Sequence, residues 1–509
     1  MADAAERFER MASWLGAARN GGGAPTRIDT HTAAIFLIGG RALKLRRPVD
    51  YGWLDYSTHE KRLAAAKRET AQNARTAPGL GLGIIGLTEA GTDFRLANPG
   101  EALPDGAEPL TAMHRFADDA LFDRMAEEGR LSLPLMRRTG QAVAAMHRTA
   151  APRPGLGHLP SLARGEDKQL AELRAILGPE TDDLLQNLAA TYEQLAPALQ
   201  HRRARRCHGD LHLGNIILWN GMPAPFDSID FNDFYSDIDP LYDLAFLLMD
   251  LDRRNCPELA SAVLNAWAEA LSTSPGADVE TAYGGLALLD FYKALRAAIR
   301  AKVGALAIKA GAGNGGEAKC KLRGYVDLAL RYLEKRAEPR LIAVGGFSGT
   351  GKTTLARQLA AQLGAVVLRS DTVRKGFYGA AETERLPSAS YTQSSSDRVY
   401  GELLFRAAMV LQSGFPVLID AAHLRAAERD ATADLARRLG VRFDGLWLEA
   451  PPRLLGERLE ARQGDASDAD RRVLEMQLSR DPGTISWHRI TTANGREATA
   501  ALASSALGL

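Results

Sequence analysis

Cysteine is scarce in this chain. Cys207, Cys256 and Cys320 are three in number, far apart, and include no Cys-x-x-Cys pair. Neither a disulfide framework nor a structural zinc site is therefore expected, and a reducing compartment is. No run approaches the roughly 18 consecutive apolar residues of a membrane span. The stretch Met1-Ala2-Asp3-Ala4-Ala5-Glu6-Arg7 is charged and lacks the apolar segment of a leader. A cytoplasmic protein with no membrane partner is the expectation. An excess of charge is missing as well: the formal net charge is +1. Nucleic acid and anionic surfaces are then not attracted in general, and any phosphate chemistry must come from local sites. No repeat of fixed period is visible. What the chain does have is 509 residues with 46% hydrophobic and 25% charged side chains, the balance of a soluble globular enzyme of two to four domains.

Taken in order, residues 6–18 predict an amphipathic helix ended by Gly21-Gly22-Gly23. Residues 31–38 and 41–46 predict two strands joined by a tight turn at Gly39-Gly40, which puts Lys44 on a strand. A strongly charged helix over 57–76 carries Glu69 in its later half. Residues 110–116 predict another strand, and helices follow to Ala150, then a Pro/Gly loop from Ala151 to His158. A helical stretch runs from about Asp167 to Arg202, and residues 240–336 are helical in pattern, broken at 272–276 and 311–316. Arg336-Ala337-Glu338-Pro339-Arg340 reads as a linker. Beyond it, apolar runs at 341–344, 365–368, 416–419 and 443–448 alternate with helical patterns, which predicts a parallel sheet of βαβ units.

The strongest chemical signal lies there. Gly346-Phe347-Ser348-Gly349-Thr350-Gly351-Lys352-Thr353 fits Gly-x-x-x-x-Gly-Lys-[Ser/Thr], with a buried strand ahead and a helix from Thr354 behind. Glycines let successive N–H groups curl around phosphate oxygens, and the helix N-terminus adds partial positive charge. Lys352 is placed for the β- and γ-phosphates, and the Thr353 hydroxyl for Mg²⁺. Asp420 ends the run Pro416-Val417-Leu418-Ile419 and is placed like the carboxylate that completes such a metal site.

A second signal precedes it. His208-Gly209-Asp210 is followed by Asn215 and by Phe226-Asp227. In kinase-like folds an Asp in such a loop orients or deprotonates the acceptor hydroxyl, an Asn five residues on binds Mg²⁺, and an Asp after the next hairpin binds the Mg²⁺ that bridges the phosphates. Those roles fall on Asp210, Asn215 and Asp227, with Asp230 a competitor for the last. His212 is expected to pack within the loop, and Asp243 to brace it from a helix N-terminus. The face Lys293, Arg296, Arg300 reads as a solvated helix surface, with an anion-holding role as the less favoured alternative.

On these motifs residues 25 to about 330 resemble the aminoglycoside phosphotransferase-like kinases, whose loop is His-Gly-Asp-x-His-x-x-Asn. The whole chain resembles a bacterial fusion of such a domain with a zeta-toxin-like or gluconate-kinase-like P-loop kinase. The resemblance implies an α+β, protein-kinase-like domain at 1–335 (small lobe about 25–115, helical large lobe about 120–335), a linker at 336–340, and an α/β P-loop domain with a parallel sheet at 341–509. It implies that Lys44 grips phosphates and that Glu69 pairs with it. It also implies Asp371 as the acceptor base of the second domain, Arg374 as a substrate clamp, and Arg458 and Arg462 as lid arginines. Asp371 is equally placed to cap a helix. The nucleotide contacts would fall on Gly346, Ser348, Gly349, Thr350, Gly351, Lys352, Thr353 and Thr354.

The resulting expectation is a Mg²⁺-dependent phosphotransferase using ATP or GTP, with one site per domain and an alcohol group on a small molecule (sugar, metabolite or antibiotic) as acceptor. Homo-oligomer formation is left open. One feature departs from the kinase pattern: no Gly-x-Gly-x-x-Gly loop precedes Lys44. That keeps a rival in play, a single active P-loop kinase with a regulatory or substrate-binding first domain. A toxin-like kinase acting on a nucleotide-sugar or macromolecule is the third reading.

Overall fold

In a computed structural model, the structure describes all residues except 1, 18–24, 53, 156, 158, 160, 165–169, 274–275, 310–314, 335 and 462–465. The Gly21-Gly22-Gly23 stop, parts of the predicted loops and helix breaks, and Arg462 lie outside the described residues. The chain packs as two compact units. The first comprises Met1–Leu131, Thr149–Leu159 and Arg203–Leu247, the second Ser132–Arg148, Pro160–Arg202 and Leu248–Leu509.

The first unit carries a six-stranded antiparallel sheet: β1 (Thr26–Asp29), β2 (Ala33–Ile38), β3 (Arg41–Arg46), β4 (Gly81–Ala90), β5 (Asp93–Leu96) and β6 (Glu108–His114), in the order β1-β2-β3-β6-β4-β5. Helix α1 (Ala2–Ala17) lays Phe8, Met11 and Leu15 on the face that holds Phe36, Leu43 and Leu45. Alternation along β3 sends Leu43 and Leu45 into this core and Lys44 and Arg46 to the opposite face. Facing that side is α2 (His59–Thr76), whose buried residues include Arg62, Glu69 and Asn73. After α3 (Phe122–Glu127) come the pair β7 (Arg205–Arg206) with β10 (Asp237–Ile238) and the hairpin β8 (Ile216–Trp219) with β9 (Met222–Pro225). Strands β1, β4 and β5 were not anticipated. The glycines in Gly81-Leu82-Gly83-Ile84-Ile85-Gly86 hide the alternation of β4, and Gly86 is required there because a Cβ would sit 2.9 Å from Leu103.

The second unit contains α4 (Leu133–Thr149, all but its last residue), α5 (Leu170–Leu177), α6 (Glu180–Gln200), the end of α7 (Pro240–Arg253) from Leu248 on, α8 (Pro257–Thr273), α9 (Leu289–Lys309) and α10 (Gly315–Leu333). Its sheet is fully parallel: β11 (Arg340–Gly346), β12 (Val366–Arg369), β13 (Val417–Asp420), β14 (Arg442–Glu449) and β15 (His488–Thr491), ordered β12-β13-β11-β14-β15. The helices along it are α11 (Lys352–Leu363), α12 (Ser370–Phe377), α13 (Gln393–Gln412), α14 (Ala426–Leu439), α15 (Pro452–Glu460), α16 (Arg471–Leu478) and α17 (Arg496–Leu507). Ile342, Val344, Leu418, Leu446 and Leu448 meet Leu355 and Leu359 of α11 in one core. Strand β15 was unforeseen, its pattern being exposed apart from Ile490. Lys293 is no solvated cation: it pairs with Asp252 at 3.0 Å over the Tyr332 ring, and Arg296 is buried. No helix among the described residues is long and apolar enough to cross a membrane.

Helices α4 and α8, which precede the linker, thus pack in the same unit as the parallel sheet. Asn265 of α8 does this at the outer edge of β12: its Nδ2 donates to the Ala365 carbonyl (3.2 Å) and its Oδ1 accepts from Val367 N–H (2.7 Å). One amide thereby supplies the pairing a further strand would give. Asn265→Ala leaves a buried N–H and C=O unmet and should destabilise the chain by about 1–3 kcal/mol, measured as a lower urea midpoint for the transition that reports on Trp447 and Trp487.

Candidate functional site

In the first unit the polar residues converge on the β3–α2 face. Lys44 Nζ lies 3.2 Å from Glu69 Oε2 and 2.6 Å from Asp227 Oδ1. Burial by itself would lower the lysine's pKa, but the charges of Asp227, Glu69 and Asp230 outweigh it and raise it, so Lys44 stays cationic. The expected pairing of Lys44 with Glu69 is formed. Asp227 is also close, held with φ at 55°, a strained conformation for a non-glycine residue that keeps its carboxylate at the lysine. Across the loop, Asn215 Nδ2 donates to both the carbonyl oxygen (2.9 Å) and Oδ2 (3.0 Å) of Asp210.

The loop is braced as anticipated. Asp243, in the first turn of α7, accepts from the N–H groups of His208 (3.0 Å) and Gly209 (2.8 Å). The buried His208 ring reaches the Phe226 carbonyl at 2.8 Å, which ties the Asp210 loop to the strand that delivers Asp227. Gly209 has φ +85°, and a Cβ there would sit 2.8 Å from the Tyr235 carbonyl, so only glycine fits. His212 packs on Phe246 and accepts from Gly214 N–H.

Asp230, the competitor of Asp227 in the sequence, meets other groups. Its Oδ2 takes Arg46 Nη2 at 2.6 Å and Nε at 3.1 Å, its Oδ1 takes the Tyr56 hydroxyl, and the residue is buried. Burial would raise this carboxyl, but Arg46 and Lys44 overcome it and hold it below its usual value. Arg46 also binds Glu69 and donates to Thr111 Oγ1 (2.9 Å). Sequence reasoning passed over Arg46, although its place two residues after Lys44 puts it on the same face; nothing local marked Tyr56.

In the second unit the phosphate loop follows β11 directly. Gly346 has φ +132°, where a Cβ would meet the Leu448 carbonyl at 2.5 Å; Gly349 has φ +85°, with the Leu455 carbonyl at 2.8 Å. Both glycines are therefore obligatory for this path. Lys352 Nζ curls back to the carbonyls of Gly346 and Phe347, both at 3.0 Å. Thr353 Oγ1 donates to Asp420 Oδ2 at 2.6 Å. A hydroxyl and a carboxylate side by side at a helix N-terminus are hard oxygen donors suited to Mg²⁺ that keeps most of its waters, and the loop's amides suit the phosphates. A cavity of about 1680 Å³ opens over the loop, lined also by Thr354, Asp371, Arg374 and Arg458. That volume takes a nucleotide and a small acceptor together.

Asp371 stands in the first turn of α12, and Arg369 caps that helix without any side-chain bond, so the capping role is not taken. Burial raises its carboxyl, against the opposing charge of Arg369 and a bond from Ser467. Arg374 is spent structurally: it donates to the Ser390 carbonyl (2.8 Å) and Ser395 Oγ (3.1 Å) and lies against Tyr391. Arg458 likewise donates to Thr492 Oγ1 (2.9 Å) and its carbonyl (2.6 Å), at the rim of the loop. Unforeseen was Gln477 of α16, whose Oε1 accepts from Ser348 N–H at 2.8 Å. A glutamine fifteen residues beyond the last predicted lid arginine, Arg462, carries no signal in sequence.

Comparison with known proteins divides the chain elsewhere, between residues 305 and 341. The family model "Phosphotransferase enzyme family" matches residues 92–305, and "AAA domain" matches 341–481. The Uncharacterized protein Rv2004c of Mycobacterium tuberculosis (strain ATCC 25618 / H37Rv) and the Uncharacterized protein Mb2027c of Mycobacterium bovis are each 30% identical over 492 residues, 92% of this chain and 92% of theirs. Among solved structures, a choline/ethanolamine kinase family protein from Mesorhizobium loti is 16% identical with a TM-score of 0.42, covering 64% of this chain and 95% of that one. A gluconokinase from Sinorhizobium meliloti is 24% identical with a TM-score of 0.25, covering 34% and 97%.

Two outcomes follow from these geometries. Arg46→Gln leaves Asp230 and Glu69 buried beside too little positive charge, and should cost about 3–5 kcal/mol, seen as a fall in Tm. For Asp371 the fold favours the protonated acid, so its contribution to stability is lost as pH rises through its raised pKa. Asp371→Asn should therefore raise Tm at neutral pH, and the gain should vanish as pH falls below the ordinary carboxylate range, as checked by melting both chains across pH.

Proposed function

Because the chain belongs to the same family as its mycobacterial relatives and joins a phosphotransferase-family stretch to an AAA-domain P-loop stretch, we infer that it is a bifunctional, Mg²⁺-dependent kinase. Each site moves the γ-phosphoryl group of ATP or GTP to an alcohol of a small molecule such as a sugar, a metabolite or an antibiotic. The observation that carries the two-site reading is the assembled set in the first unit: Lys44 between Glu69 (3.2 Å) and Asp227 (2.6 Å). A regulatory relic would have no reason to keep a half-buried lysine charged between two carboxylates and a left-handed aspartate aimed at it.

In the first site Lys44 would hold phosphate oxygens, Asn215 and Asp227 the metal, and Asp210 the acceptor hydroxyl. In the second, Gly346 to Thr354 would cradle the phosphates, Thr353 and Asp420 the metal, and Asp371 the acceptor proton. Mg²⁺ supplies charge neutralisation for the transferring group in both. Catalysis of this kind is positioning and electrostatics more than covalent chemistry. The acceptors are small molecules rather than nucleic acid, in keeping with the +1 net charge, and the compartment is the cytoplasm.

One observation favours the rival in which the first unit only regulates. The turn before Lys44 is the two-residue Gly39-Gly40 hairpin between β2 and β3, which offers few amides to cover phosphates. The deciding experiment is NTP turnover over a panel of hydroxylated metabolites, with products weighed by mass spectrometry, in the native chain, Asp210→Asn and Lys352→Ala. Doubly phosphorylated product from the native chain and singly phosphorylated product from one of the two variants is expected for sequential action. With independent acceptors, each variant loses one product by roughly 10²–10⁴-fold. An Asp210→Asn chain that behaves as native while Lys352→Ala loses all transfer would make the first unit a regulator.

A further inference from the structure

The P-loop stretch matched by the AAA family model ends at its own sequence limits, 341–481, yet its metal-facing carboxylate is wired to helices that lie outside them. Asp420 Oδ2, the oxygen that accepts the Thr353 hydroxyl, is also 3.4 Å from Arg369 Nε. Arg369 is 3% exposed, and its charge acts on Asp420, on Glu382 at 3.5 Å, on Glu269 of α8 at 3.9 Å and on Asp371. Glu382 is in turn held from α4, by Gln141 Nε2 at 3.0 Å and Arg137 Nη2 at 3.5 Å, and Arg137 also reaches Glu269 at 3.5 Å. Arg137, Gln141 and Glu382 border the same cavity as Lys352 and Asp371.

We propose that the P-loop site of this chain is composite, with Arg137 and Gln141 of α4 and Glu382 acting as positioning residues that set, through Arg369, how much negative charge Asp420 offers to Mg²⁺. The inference rests on the P-loop kinase reading above. A buried guanidinium divides its attraction among the carboxylates it can reach. When Glu382 is engaged, Arg369 is partly satisfied elsewhere, and Asp420 is left for the metal and Thr353. Neutralising Glu382 throws more of the arginine's charge onto Asp420 and weakens the metal site. Neutralising Arg137 acts the other way, because Glu382 then turns wholly to Arg369 and frees Asp420. Removal of outer groups around a metal ligand commonly changes metal affinity by about 10-fold or more.

The opposite signs are the test. The full-length chain carrying Lys44→Ala, to silence the first site, is titrated with ATP bearing a fluorescent N-methylanthraniloyl group, in EDTA and over a range of MgCl₂. Affinity in EDTA should stay within about two-fold of this parent in all variants, since the phosphate cradle is untouched. The gain in affinity on adding Mg²⁺ should fall on the order of 10-fold in Glu382→Gln and rise a few-fold in Arg137→Gln. Glu382→Asp should recover part of the loss, and the double variant should not equal the sum of the singles. Loosened packing would weaken both variants alike; changes of the same sign, or none in chains whose Tm is that of the parent, overturn the proposal. Should Lys352→Ala in this background bind as its parent does, the P-loop kinase reading itself falls, and the inference with it.

Discussion

Each unit is organised around a buried arginine with more carboxylates in reach than one charge can satisfy. In the first, Arg46 stands among Asp230 and Glu69, with Lys44 beside it; in the second, Arg369 stands among Asp420, Glu269 and Glu382. A carboxylate that must receive a divalent cation is repelled by its neighbours and costly to bury until the cation arrives. A nearby guanidinium solves the problem of the folded apo state without capturing the carboxylate outright, provided its charge is shared. In the first unit Asp230 takes Arg46, and Asp227 meets Lys44 through one carboxylate oxygen. In the second the sharing extends through Glu382 and Glu269.

That sharing explains why the two aspartates near the end of the kinase-like hairpin have unlike fates. Asp227 and Asp230 are three residues apart and both acidic, and only spacing ranked one above the other. The structure separates them by backbone and burial. Asp227 is held in the left-handed region with a half-exposed side chain; Asp230 is enclosed by Arg46 and Tyr56. The partner that decides the matter, Arg46, is 184 residues away in sequence.

What could be read from the chain follows the same line. The phosphate loop and the Asp210–Asn215–Asp227 set were legible as patterns because their motifs fix spacings within short segments, and Asp420, 67 residues from Thr353, was legible by its place at the end of an apolar run. The α/β character of the second half was legible from four apolar runs, while β15, with only Ile490 buried, had no pattern to detect. Arg374 and Arg458 carried the right chemistry in the right segments, but which groups an arginine donates to depends on serines and threonines brought in by other loops. Gln477 and Asn265 are uncharged, lie on helix faces, and act through backbone groups far away in sequence; neither composition nor periodicity singles out such residues. The arginine face on α9 failed for a related reason: Lys293 at helical spacing looks solvated until Asp252 and Tyr332 are placed against it.

The extent of the second unit is then a physical matter before it is a matter of sequence boundaries. Strand β12 is the outermost strand of a parallel sheet, with β13 on one side only, and a parallel edge left open is a template for wrong pairing. Here Asn265 occupies that edge with its own amide. The C-terminal end of α8 comes so close to α12 that a Cβ on Gly376 would lie 2.8 Å from the Thr273 carbonyl. Arg406 of α13 closes on the same helix end, donating to the Ser272 carbonyl at 3.1 Å and to its hydroxyl at 3.2 Å. A chain cut at the 336–340 linker would keep the phosphate loop and lose Asn265 from the edge of β12, the Ser272 acceptors of Arg406, and Glu269 from beside Arg369. The boundary legible in sequence marks where the chain turns from one family's pattern to another; the compact unit that contains Asp420 also takes in α4 and α8, which the sequence assigns to the other family.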